Sequence, residues 1–143
     1  MTYLLDVNVL VALAWPVHVH HAAAHEWFRT HHRSGWATCP TTESGFIRVS
    51  SSRRATPDAR PPGEAALVLR RMCEVEGHRF LPDQVRFTDH VTAISSHVLG
   101  SGQVTDTHLV LLARSVDASL VTFDRGAAQL GTAFDTNVTL LST

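Results

Sequence analysis

The sequence contains no lysine: all 12 of its basic residues are arginine. That absence excludes two common mechanisms. A phosphate-binding P-loop places a Lys amine on the phosphates, and Schiff-base catalysis needs a Lys amine as nucleophile. Cysteine is almost as scarce, with only Cys39 and Cys73. Two thiols build neither a disulfide framework nor a zinc knuckle, so both are expected as reduced, buried, apolar side chains. An excess of one charge is lacking too. The 13 acidic residues leave a formal net charge of -1, which draws the whole chain toward neither nucleic acid nor membrane. No apolar run is long enough to span a bilayer. The apolar start carries Asp6 and Asn8 and follows no basic segment, so a secretory signal is not expected. A cytoplasmic protein with no membrane association is the expectation.

What remains is an ordinary globular composition. The 143 residues, 44% of them hydrophobic, suit one domain spanning 1–143 with a proper core. Short apolar runs at 2–6, 35–40, 78–83, 118–124 and 137–141 read as strands. Helical patterns fall at 8–15, 18–32, 41–51, 64–76, 88–102 and 104–116. Thr41 and Thr105 are positioned to cap the helices they open. The Ser-, Pro- and Gly-rich stretch 50–63 reads as a loop. Strands alternating with helices predict an α/β class built on a parallel sheet.

Four acids fall in one kind of place within that pattern. Asp6 interrupts an apolar run at the end of the first strand. Glu43 and Asp106 open helices, and Asp124 ends a late strand. In a parallel sheet, strand C-termini and the helices that follow them share one edge, where ligands bind. Two carboxylates about 4 Å apart repel by roughly 4 kcal/mol at an effective dielectric near 20, so a convergent group needs a cation. Hard ions such as Mg2+ and Mn2+ prefer carboxylate oxygen and can support phosphodiester hydrolysis. Dipole compensation also favours acids in helix first turns, so it is the joint placement that carries weight.

The segments "YLLDVNVLVAL", "TTESGFIRV", "VTDTHLVLLA" and "LVTFDRG" together resemble the PIN-domain family, specifically the toxins of VapBC toxin–antitoxin pairs, in order and spacing over nearly the whole chain. The resemblance implies a three-layer α/β/α fold around a central, mostly parallel sheet. It implies an endoribonuclease dependent on Mg2+ or Mn2+. Asp6, Glu43, Asp106 and Asp124 match the family's catalytic and metal-binding acids, and Asn8, Thr105 and Thr122 match polar positions that support them. RNA as substrate, a homodimer and a cognate VapB-like antitoxin are implied as well. A DNA-preferring nuclease and a non-catalytic RNA- or protein-binding module of the same fold are the alternatives. A phosphatase working through an aspartyl-phosphate on Asp6 is not, because "DVN" lacks a second acid and no Lys is present to neutralise the phosphoryl group.

Three further groups are candidate sites. His18, His20, His21 and His25 include a pair one helical turn apart, but no acid or Cys completes a zinc motif, so a solvated helix face is expected. Arg48, Arg53, Arg54 and Arg60 surround the Pro-rich loop. Arg53 and Arg54 are candidate RNA contacts, since guanidinium suits phosphate. Trp15, Trp27, Trp36 and Phe28 are expected in the core or at a dimer contact rather than as base-stacking platforms, with Ala22 and Ala23 also facing inward.

Overall fold

A computed structural model describes residues 1–142. Its centre is a sheet of five short parallel strands: β1 (Tyr3–Leu5), β2 (Trp36–Thr38), β3 (His78–Phe80), β4 (Ser119–Thr122) and β5 (Val138–Leu140), in the order β3-β2-β1-β4-β5. Strand β1 is central, pairing Tyr3 with Trp36 on one side and with Ser119 on the other. The chain therefore builds outward from β1 in one direction, then returns to build in the other. The junction between β1 and β4 is the topological switch point, where an open α/β sheet leaves a crevice.

Strand pleat sends successive side chains to opposite faces, and both faces are dry. Leu4, Ala37 and Leu120 enter one core with Leu109, Leu112 and Phe134. Leu5, Trp36 and Val121 enter the other with Leu10, Phe46 and Leu69. Helices α1 (Val7–Ala14), α2 (His21–His31), α3 (Pro40–Ser50) and α4 (Pro62–Met72) supply the second core, and α6 (Val104–Ser115) and α7 (Arg125–Ala133) the first. The result is the expected three-layer α/β/α arrangement. No helix among the described residues is long and apolar enough to cross a membrane.

Several local expectations are corrected. The segment 88–102 is not one helix: α5 (Val91–His97) is seven residues long and flanked by 3-10 turns at Phe87–Asp89 and Ser101–Gln103. Helix α7 falls in a stretch to which the sequence pattern assigns no element. It is built largely of small residues, and Ala127, Leu130 and Gly131 face the core. Gly131 allows that approach, because a Cβ there would overlap Val138 and crowd the Thr136 carbonyl. Thr41 caps nothing. Cys39 is the N-cap of α3, and the Thr42 hydroxyl accepts from the Cys39 N–H at 3.0 Å. Thr105 lies inside the first turn of α6, whose N-cap is Gln103. In α2 the fully buried alanine is Ala24, with Ala22 exposed.

The histidine-rich helix does more than face solvent. His21 Nδ1 lies 2.7 Å from the Ala12 carbonyl and His25 Nε2 lies 3.1 Å from the Leu13 carbonyl. Both occupy acceptors at the C-terminus of α1 that have no intrahelical donor. Trp36 is fully buried, while Trp15, Trp27 and Phe28 pack partly buried against the same core. Cys39 is buried and Cys73 half-buried, both as free thiols.

Candidate metal centre

Three helix N-termini deliver three aspartates to one cleft. Asp6 leaves β1 with extended backbone and caps α1: its carboxylate accepts the Val7 N–H at 2.7 Å. Asp124 caps α7 in the same way, accepting the Gly126 N–H at 2.8 Å. Asp106 stands in the first turn of α6. They line a cleft of about 300 Å³ at the β1/β4 switch point, together with Asn8, His18 and aliphatic walls. Capping and convergence are thus not rival explanations, because the caps aim the acids.

The electrostatics are unbalanced. Asp6 is only 7% exposed. Burial raises its pKa against the lowering effect of hydrogen bonds from Thr122 and Val7, and the Asp124 charge adds to the rise. Asp106 is pushed up to about 6, first by burial, then by the charges of Asp6 and Asp124 and by a hydrogen bond shared with the Asp124 carboxyl. None of the three forms a salt bridge among the described residues. Three carboxylates with oxygen donors only, mutual repulsion and no salt-bridge partner among the described residues fit a hard divalent ion.

Thr122 organises this corner. Its hydroxyl donates to Asp6 at 2.7 Å and accepts from Asn8 Nδ2 at 3.2 Å and from the Asp124 N–H at 3.0 Å. Asn8 in turn accepts the Phe123 N–H at 3.2 Å. Thr122 and Asn8 therefore fix Asp6 and the Asp124 backbone relative to one another. Thr105 is exposed and makes no hydrogen bond to an acid. His18, grouped in the sequence with His20, His21 and His25, lines the cleft, and burial and the neighbouring His20 and His21 lower its pKa. Nothing in the local sequence marks His18 among the other histidines. It reaches the cleft only because the chain turns back after α1.

Glu43, the fourth expected acid, stands in the first turn of α3. It does not line the cleft. Its carboxylate accepts from the Thr38 hydroxyl at 2.7 Å, above β2 and β3. The physical reason is topological: α3 follows β2, one strand away from the switch point. Arg53 and Arg54 are exposed, form no salt bridge among the described residues, and adjoin Ala55 in the cleft wall. Arg60 instead pairs with Glu64 and Asp58 and covers the Trp15 ring.

The PIN domain family model matches residues 3–133. This chain belongs to the PIN-domain family. Within it, the chain is of the VapC type. It is 49% identical to Ribonuclease VapC38 of Mycobacterium tuberculosis over 127 residues, covering 89% of this chain and 88% of that protein. It is 44% identical to Ribonuclease VapC39 of the same organism over 133 residues, covering 93% and 96%. The crystal structure of PAE2754 from Pyrobaculum aerophilum shares the PIN fold described above. Its TM-score is 0.63 at 19% identity, covering 98% of this chain and 84% of that one.

The raised Asp106 has a consequence for this PIN domain. Its pKa is about 6 in the folded chain against 3.8 as the ordinary value. Between those values the folded state binds more protons than the unfolded, so this group makes stability fall as pH rises. Metal-free melts should show the difference. Asp106→Asn should gain stability over wild type as pH rises from about 4 to above 6, and Mg2+ should restore the wild type alone. A constant difference across that range would show that Asp106 titrates normally.

Proposed function

We propose that this PIN domain is a Mg2+- or Mn2+-dependent endoribonuclease, the toxin of a toxin–antitoxin pair, with Asp6, Asp106 and Asp124 holding the ion. The observation that carries the reading is the convergence of three unpaired aspartates at the switch point of a VapC-type chain. The relatives' name, ribonuclease, supports RNA as the substrate. A bound divalent ion supplies Lewis acidity and charge neutralisation to the phosphodiester.

The chain's own groups supply the rest. Thr122 and the Val7 N–H orient the two oxygens of Asp6, so the carboxylate is held before an ion arrives. Asp106, with its raised pKa, must lose its proton for the three acids to act together, so activity is expected to rise with pH through about 6. An apolar groove that shares Val11, His18 and Ala55 with the cleft leaves room for nucleobases. Arg53 and Arg54, beside that wall, contact the RNA backbone. Glu43, in the first turn of α3 and held by the Thr38 hydroxyl, is the fourth acid of the proposed site.

A VapB-like antitoxin, a homodimer and a cytoplasmic location complete the reading, and the family supports them. Val91, Leu99 and Val104 are exposed around the α5–α6 connection, which suits an interface with a second chain. The test is incubation of the purified chain with total cellular RNA in Mg2+ or Mn2+. Discrete fragments that disappear with EDTA are expected. Cleavage unaffected by EDTA would remove the metal, and equal cutting of single-stranded DNA would remove the RNA preference.

A further inference from the structure

One residue of the cleft is neither an acid nor bonded to one. His18, in the turn between α1 and α2, is half-buried and lines both the aspartate cleft and the apolar groove beside it. Its backbone is fixed. The His18 N–H donates to the Trp15 carbonyl at 3.0 Å, and the His18 carbonyl accepts the His21 N–H at 3.0 Å. Its ring is fixed as well, because the His20 N–H donates to His18 Nδ1 at 3.0 Å. The His20 ring lies 5.5 Å from the His18 ring and stacks on Phe123 at 4.7 Å. Phe123 precedes Asp124 in the chain, so the histidine is held in the same frame as the acids.

The bond at Nδ1 settles the tautomer. A nitrogen that accepts a backbone N–H carries no proton, so the neutral ring holds its proton on Nε2. Nε2 has no partner among the described residues and is open to solvent. The free edge of the ring is therefore a donor, with no acceptor left. In that form it takes no proton from an attacking water, so it is not a general base. A second proton would have to go to Nδ1 and break the bond from His20. Burial, His20 and His21 oppose that proton too. An Arg in this place would pair with the aspartates and compete with the ion. A neutral N–H offers a hydrogen bond without doing so.

We propose that His18 is an RNA-contacting residue: its Nε2–H donates to a non-bridging oxygen of the phosphate next to the scissile one, where the strand passes from the cleft into the apolar groove. The inference rests on the nuclease reading above and adds a contact to it. The phosphate oxygen is the partner because it is the anionic acceptor on the strand, and hydrogen bonds to an ionised acceptor are the strong ones. Substrate and transition state both make this contact, so it strengthens binding more than the chemical step.

Two substitutions separate the contact from the turn. His18→Asn puts a carbonyl oxygen near the position of Nδ1 and keeps an acceptor for the His20 N–H, but it has no donor at the position of Nε2. His18→Gln reaches that position with an N–H and leaves the His20 N–H without its acceptor. On one mapped RNA with Mg2+ or Mn2+, His18→Asn should lower kcat/KM by about 10–100-fold, the loss expected for a hydrogen bond to a charged group, and mostly through KM. His18→Gln should hold KM near the wild-type value. A purely structural role for the ring predicts the reverse order. Imidazole nitrogen NMR shifts of the metal-free chain at mildly alkaline pH should show His18 as the Nε2–H tautomer, whatever the chain does to RNA. Wild-type KM in His18→Asn, a rise in His18→Gln as large as in His18→Asn, or an Nδ1–H tautomer would overturn the proposal. A wild-type chain that shows this tautomer but leaves RNA intact would instead remove the nuclease reading, and the proposed contact with it.

Discussion

Replacing Asp106 with Asn is expected to lower metal-dependent RNA cleavage by about 10²–10³-fold, the loss that follows removal of one preorganised electrostatic group at a reacting centre. Asn keeps the size and shape of the side chain but removes a charge and an anionic ligand. The usual objection to such a result is that the variant has unfolded. Here the sign is opposite. Asp106 is raised to about 6 by burial and by Asp6 and Asp124, so its ionised form is a cost to the metal-free fold at neutral pH. Asp106→Asn should therefore melt no lower than wild type in EDTA while losing both cleavage and the stabilisation given by Mg2+. Initial rates on one mapped RNA, measured beside melting curves, decide the matter. Activity within about threefold of wild type would show that Asp106 is not a ligand.

The second large effect is on the fold. Gly77→Ala should destabilise the chain by about 3 kcal/mol or more, combining backbone strain with overpacking, and lower Tm by roughly 10 °C. Gly77 has φ +95°, and a Cβ there would overlap the His32 carbonyl oxygen. Its own carbonyl accepts the Trp36 N–H at 3.0 Å. The residue thus sets the entry to β3 against the entry to β2, and any shift is transmitted to Trp36, which is fully buried. Gly63 is the matched control. It lies near the start of α4 with open space around it, so Gly63→Ala should be neutral or stabilise by up to about 1 kcal/mol. Equal melting of the two variants would refute this account of Gly77.

Which parts of the structure were legible in the sequence follows from which signals are local. Asp6 was readable because a charge inside an apolar run demands a reason. Thr122 and Asn8 came from the family likeness, and the structure joins them to Asp6 through one hydroxyl. The five strands were readable as short apolar runs between breakers, although each is trimmed at its ends where pairing stops. Glu43 does not line the aspartate cleft, and a helix first turn says nothing about which strand precedes it in the sheet. Strand order β3-β2-β1-β4-β5 sets it one strand beyond the switch point. Helix α7 has no counterpart in the sequence pattern, which assigns nothing between 124 and 137. Gly126 lies in its capped first turn, and Gly131 is where Val138 comes close.

The bond from Thr122 to Asp6 spans 116 residues. On a ribosome moving at about 5–20 residues per second, the two partners are made roughly 6–23 s apart. Strand β1 also has no β4 to pair with until then. A nascent chain therefore carries an incomplete cleft throughout that interval. If the cleft cuts RNA, the message being read and the machinery reading it are safe from this polypeptide until its last segments have emerged. On that reading, the late arrival of β4 and α7 acts as a timer set by chain order, because the cleft stays incomplete until they are made.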